Sequence, residues 1–243
     1  MKFYAYLGCS FLAVLSTVYY AFSTRGHFYP SVLYLVSSKV SLAVVGNMIV
    51  ALAVLVGQML IKIFCDTLRD TELELLLDML KYEVMETFFA FALFRNEITS
   101  NVMLLFGFVL FLKAFHIIAK TRVQYLEQVM PVSRSTHVRL QALIITLVIV
   151  NSIVSYQCIQ YTIKQGKTVL ILFGFEFGLL IIEGFNTMVK YYLYLFDSYL
   201  ENGLPSKGLY VMILELFCDA LKMITYCAFF FLIFNNYGVP LHI

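Results

Sequence analysis

Long apolar blocks broken by short polar loops recur along the chain, at 3–22, 40–61, 82–97, 101–119, 139–161, 168–195 and 209–234. A helix needs about 20 mostly apolar residues, at a rise of about 1.5 Å each, to cross a bilayer, so the blocks predict seven spans and an all-α, polytopic transmembrane helical bundle. The third block is the weakest. Its apolar run, 84–94, is short and starts among Glu83 and Glu86, so one end calls for a polar protein environment.

Two polar-to-apolar transitions break the alternation. In FCDTLRDTELELLLDMLK, residues 64–81, Thr71 and Glu74 have capping-box spacing, and Leu73, Leu76, Leu77 and Leu80 form a stripe opposite Asp70, Glu74, Asp78 and Lys81. That pattern predicts a cytosolic amphipathic helix between spans two and three, resting on the membrane surface or on neighbouring spans and continuing into span three. HFYPSVLYLV, residues 27–36, reads as a loop whose aromatics sit in a membrane belt. No Gly/Ser or Pro-rich linker divides the chain, which predicts a single transmembrane domain over 1–243 without internal repeats.

Composition sharpens this picture: 61% of the 243 residues are hydrophobic, 13% are charged, and mean hydropathy is +0.86. A net charge of +2 without a basic patch sets nucleic acid aside. Cys9, Cys65, Cys158, Cys218 and Cys227 are scattered singly, without zinc-ligand spacing, and read as small apolar packing residues. Ten of the 17 Lys and Arg fall on the side of the N-terminus and five on the other, which places the N-terminus in the cytosol. Span one, with Lys2 before it and Ala21-Phe22-Ser23 at its end, reads as an uncleaved signal anchor rather than a cleaved signal peptide.

Charge also enters the spans. The stretch FLKAFHIIAKTRV, residues 111–123, is greasy enough to cross a bilayer yet carries Lys113 and His116. Span six holds Glu176, Glu183, Asn186 and Lys190 on one helical face, span seven repeats the pattern with Glu215, Asp219 and Lys222, and span three contributes Glu83 and Glu86. An intramembrane charge costs ~2.5–3.5 kcal/mol even on the lenient insertion scale, so such residues face each other or water. Spans three, four, six and seven then enclose a hydrophilic cavity open to the cytosol, and spans one, two and five form an apolar flank. A closed structural cluster is the plainer alternative, with Lys113 and Lys190 snorkelling.

No catalytic constellation emerges: H-E-x-x-H and G-x-S-x-G are both missing. A proton- or ion-coupled transporter is the physical rival, since carboxylates and a histidine can relay protons. Transporters often break helices at midplane with Pro or Gly, whereas Pro30, Pro131, Pro205 and Pro240 lie in predicted loops or near a terminus.

FLKAFHIIAKTRVQYLE, residues 111–127, resembles the fourth-span signature F-L-K-x-F-H-W-L-x-x-D-R-V of the synoviolin-type ubiquitin ligases of endoplasmic-reticulum-associated degradation. HFYPSVLYL (27–35), TLRDTELELL (67–76), FALFRNE (91–97), FGFEFGLL (173–180) and KGLYVMILELFCDALK (207–222) match in the same order. The resemblance implies a multi-pass membrane domain in the endoplasmic reticulum that helps return misfolded proteins to the cytosol through a hydrophilic funnel. Lys113, His116, Glu176, Glu215 and Lys222 match the family's polar positions. Implied partners are a luminal solenoid receptor, a derlin of rhomboid-like fold, misfolded substrate polypeptides, a cytosolic AAA ATPase and a ubiquitin-conjugating enzyme, with a homodimer as one assembly. Ile117 and Thr121 depart from the signature, which has Trp and an acidic residue there. Zinc is expected only in the family's RING domain, which follows an eighth span beyond the point matched by Val239-Pro240-Leu241. This chain, ending at Ile243, is therefore expected to be the membrane part of a longer ligase or a ligase-like protein without its catalytic module.

Overall fold

A computed structural model describes residues 2–93, 99–129, 133–165, 170–200 and 203–237. The described residues form eight α-helices and no strands. They are α1 (Lys2–Arg25), α2 (Phe28–Ser37), α3 (Lys39–Phe64), α4 (Asp70–Leu93), α5 (Ser100–Val129), α6 (Arg134–Gln165), α7 (Leu170–Tyr199) and α8 (Lys207–Tyr237). The end of expected span three at 94–97, with Arg95, lies outside the described residues, as do Pro131, Lys167, Val239, Pro240 and Leu241. Five described helices, α1, α3, α5, α6 and α7, are long and apolar enough by length and composition to cross a membrane. Helices α4 and α8, which carry Glu83 and Glu86 and then Glu215, Asp219 and Lys222, are not among those five. The chain divides into two compact units, Met1–Ile63 and Phe64–Ile243.

In the first unit, α1 ends at Arg25, and Gly26, at φ +66°, makes the left-handed turn into α2. The 27–36 segment is therefore helical rather than a loop. Pro30 sits in the first turn of α2, where its missing N–H has no intrahelical acceptor to lose. Ser31 is fully buried, its hydroxyl donating to His27 O at 2.8 Å and Ala21 O at 3.2 Å, which pins α2 to the end of α1. Helices α1 and α3 are joined by a neutral trio: Tyr6 Oη donates to Asn47 Oδ1, and Asn47 Nδ2 donates to Ser10 Oγ at 2.9 Å.

The second unit centres on α7, which packs against α5, α6 and α8, while α4 packs on α5. Phe173 and Phe177 of α7 are fully buried, Phe173 edge-on to Phe106 at 4.6 Å. Gly184 explains the tight α6–α7 approach: a Cβ there would lie 2.8 Å from Val148 Cγ2 and 3.1 Å from His116 Cε1. The cap of α4 forms two residues earlier than the Thr71–Glu74 spacing suggests. Glu72 Oε2 accepts from Arg69 N at 3.0 Å, because Glu72 is also drawn to Arg122 on α5. Along the expected leucine stripe Leu76 is buried, whereas Leu73 and Leu77 are exposed.

Candidate functional site: a heptad charge seam

Helices α5 and α7 run in the same sense with a constant register. Lys113 meets Glu176, and Lys120 meets Glu183, each pair 63 positions apart in sequence. Seven residues make almost two helical turns, so both contacts fall on one edge, about 10 Å apart along the axes. One heptad further on, Glu127 of α5 and Lys190 of α7 complete the series. The edge reads Lys, Lys, Glu on α5 against Glu, Glu, Lys on α7.

At the first rung Lys113 Nζ lies 3.1 Å from Glu176 Oε2 on α7, and 2.8 Å and 3.9 Å from Glu83 Oε2 and Glu86 Oε2 on α4. At the second, Glu183 is shared: Lys120 Nζ approaches Oε1 at 2.8 Å and Lys222 Nζ of α8 approaches Oε2 at 2.6 Å. Asp219 stands 3.5 Å from Lys222. At the third rung both members turn to α8, Lys190 pairing with Glu215 and Glu127 with Lys207 at 2.7 Å. Lys207 also meets Asp197 at 2.9 Å and lies 4.7 Å over the Tyr194 ring, which ties the α7–α8 connection to the end of α5. Because 183 meets 222 and 190 meets 215, α8 runs antiparallel to α7 in heptad register.

Every sequence-predicted charge, Lys113, Glu176, Glu183, Lys190, Glu215, Asp219 and Lys222, is thus ion-paired. The inner members are largely covered; the Lys113 side chain is 11% exposed. The outer members are open, with Glu86, Glu215 and Asp219 side chains 58%, 50% and 69% exposed.

The predicted neutral residues behave differently. His116, buried, takes no part in the described ion pairs, and its Nε2 lies 2.6 Å from Asn151 Nδ2 on α6, so the ring nitrogen accepts. Asn186 is buried one turn from Glu183, and its Oδ1 finds no hydrogen-bond partner among the described residues.

Reasoning from span interiors missed Lys120, Glu127, Lys207 and Asp197, all assigned to loops or left unremarked. The heptad spacing of 113, 120 and 127 against 176, 183 and 190 was the available signal. It also missed Arg122, whose Nη1 meets Glu72 Oε1 at 3.2 Å in an ion pair rather than an aligned hydrogen bond. Arg122 Nη2 donates to Cys65 O at 2.8 Å and Thr67 O at 2.7 Å, and Arg69 stacks 4.1 Å over Tyr125, so α5 holds down the segment leading into α4. Burial raises the Cys65 thiol pKa, with the Arg122 charge opposing it.

No group of three or more His, Cys, Asp or Glu among the described residues is arranged to hold a metal ion. The class so defined is an all-helical membrane bundle organised around paired charges. The family model described as "E3 ubiquitin-protein ligase synoviolin-like, TPR repeats" matches residues 2–243, and the chain belongs to that family. Apart from α2, its helices, at 24 to 32 residues, are longer than those of a ~34-residue helix–turn–helix TPR unit. The chain is also 24% identical over 245 residues to the "ERAD-associated E3 ubiquitin-protein ligase hrd1" of Schizosaccharomyces pombe, covering 100% of this chain and 36% of that protein. It therefore spans about a third of that relative's length.

Proposed function

We propose that this chain is the membrane-embedded part of a ubiquitin ligase of endoplasmic-reticulum-associated degradation, and that its heptad seam lines a cytosol-facing path for misfolded polypeptides. The observation that carries the path is the exposure of Glu86, Glu215 and Asp219 at the rim of a seam whose floor is covered. A network serving folding alone keeps its charges away from lipid. An open rim of carboxylates suits water, and with it the backbone of a chain that cannot satisfy its own hydrogen bonds in hydrocarbon. In this role Lys113, Glu176, Glu183, Lys190, Glu215, Asp219 and Lys222 supply charge along the path, while His116 and Asn186 shape its wall. Ubiquitin transfer and the zinc it needs belong to a RING module, and a luminal receptor, a derlin-type protein, a ubiquitin-conjugating enzyme and an AAA ATPase complete the machine.

One observation favours a second reading. The charged residues of the seam are already paired, which suits a closed scaffold that only anchors the complex. A cysteine-accessibility scan in native microsomes separates the two. Single cysteines replace Glu86, Glu215 and Asp219 in a background without the five native ones, and Ile149 and Ile153 on the exposed apolar face of α6 serve as controls. Labelling of the rim by a membrane-impermeant thiol reagent added from the cytosol, with the controls silent, supports the path. A silent rim leaves the scaffold.

A further inference from the structure

All fifteen acidic residues lie at position 66 or beyond, so the first unit, residues 1–63, holds Lys2, Arg25, Lys39 and Lys62 without a single carboxylate. The four cations are placed regularly. Lys2 opens α1 and Arg25 ends it; Lys39 opens α3 and Lys62 lies in its last turn. Each pair is 23 positions apart, about 34 Å along a helix, a little more than the ~30 Å hydrocarbon core of a bilayer. Lys39 and Lys62 so bracket α3, whereas the bonds of Asn47 to Tyr6 and Ser10 set Lys39 level with the middle of α1 rather than with Arg25.

At one of these positions the unit also has a groove. It is a shallow, open depression of about 470 Å³, lined by Ala13 of α1 and Lys39, Val40, Ala43, Val44 and Asn47 of α3. Its walls are apolar except at the ends. Lys39 is exposed at one end, and at the other, about 12 Å along α3, Asn47 is tied to Tyr6 and Ser10. The trio engages Asn47 through one N–H and its carbonyl oxygen, which leaves Lys39 as the charged group of the groove, one that suits an anion.

We propose that this groove is a phospholipid site: an acyl chain lies along Val40, Ala43, Val44 and Ala13, and the lipid phosphate pairs with Lys39. The inference is independent of the polypeptide path. Residues 1–243, reconstituted in nanodiscs of phosphatidylcholine and phosphatidylserine with a trace of phosphatidylserine bearing a diazirine on one acyl chain, are irradiated and the cross-linked peptides mapped. Cross-links are expected to concentrate at residues 39–47 and around Ala13, at least five-fold above the exposed α6 positions Ile153 and Ile159. Ala43→Trp, which fills the groove, abolishes the excess. Lys39→Gln lowers it about five-fold, the contribution of one lysine near a lipid headgroup surface, and Lys39→Arg retains it. Lys39 is exposed, so its variants remain informative if Ala43→Trp fails to fold. Cross-linking spread evenly over the exposed apolar faces overturns the site. An excess indifferent to Lys39→Gln, or a carbodiimide cross-link joining Lys39 to a carboxylate of the protein, overturns the phosphate assignment.

Discussion

Residues 1–63 and 64–243 meet the same solvent with opposite solutions. The first unit has no acidic residue, joins its spans through the neutral Tyr6–Asn47–Ser10 trio, and leaves its cations at helix ends. The second takes all fifteen carboxylates and spends seven of them, Glu83, Glu86, Glu127, Glu176, Glu183, Glu215 and Asp219, on lysines of α5, α7 and α8. In hydrocarbon the two devices are far apart in consequence. A neutral interhelical hydrogen bond contributes ~0.6 kcal/mol, because separated helices find other partners. A buried ion pair need add little net stability, but stripping one partner costs ~3–5 kcal/mol by stranding the other charge. Charge therefore fixes which helices meet and in what register in the second unit; neutral hydrogen bonds join α1 to α3 in the first.

Glu183 puts the contrast under the greatest strain, since it alone holds both Lys120 and Lys222. Glu183→Gln is expected to destabilise the bundle by ~3–5 kcal/mol, read as a fall in the thermal midpoint of the full chain in detergent. The third rung supplies the control. Lys190→Glu alone is also strongly destabilising, whereas Lys190→Glu with Glu215→Lys recovers most of the loss, a coupling seen only if the two face each other. Equal midpoints for the single and double variants would remove the ladder from the account.

Arg122 tests whether pairing also governs the segment entering α4. A lysine cannot reproduce the fork that spans Glu72, Cys65 O and Thr67 O, so Arg122→Lys is expected to cost ~2–3 kcal/mol. Cys65 reports it directly. Burial holds its thiol above the ordinary value of 9.0, so less thiolate is present at any given pH and native labelling rises only in alkaline buffer. In the variant the loosened segment exposes the thiol, and labelling at neutral pH accelerates.

Much of this organisation was legible in the order of residues, and what escaped has a common cause. Helix character and the stripes on α7 and α8 follow from spacing within one segment, because helical period is a local property. Pairing between segments is not local. Thus Lys120, Glu127 and Lys207 looked like loop charges until the heptad offset was compared across two helices. His116, three positions from Lys113, is turned by about 60° around the axis, enough to move it from the seam to Asn151. The α4 cap went astray similarly: Thr71 and Glu74 had the right spacing, but the distant Arg122 fixed Glu72 in the capping role. The 27–36 segment, short and rich in aromatics between two spans, reads as a loop, yet Pro30 fits the first turn of α2.

Close packing, rather than charge, sets the next effect. Gly184→Ala places a methyl 2.8 Å from Val148 Cγ2 and 3.1 Å from the ring of the buried His116, so both neighbours have to shift. The expected loss is ~1–3 kcal/mol. Val148→Ala in the same chain should relieve part of it, and a strictly additive pair would show that the close approach does not strain the α6–α7 contact.

The smallest effect belongs to the first unit. Asn47→Ala removes both hydrogen bonds of the trio, yet the cost should stay near ~0.6 kcal/mol, as Tyr6 and Ser10 can turn to backbone carbonyls or interfacial water. The informative readout is therefore local: hydrogen exchange of α1 and α3 amides in nanodiscs, with α5 and α7 as internal reference. Faster exchange confined to residues 1–63 would show that the units lose their hold separately. If α5 and α7 loosen as well, the neutral trio matters to the charged seam, and the division of labour between the two regions fails.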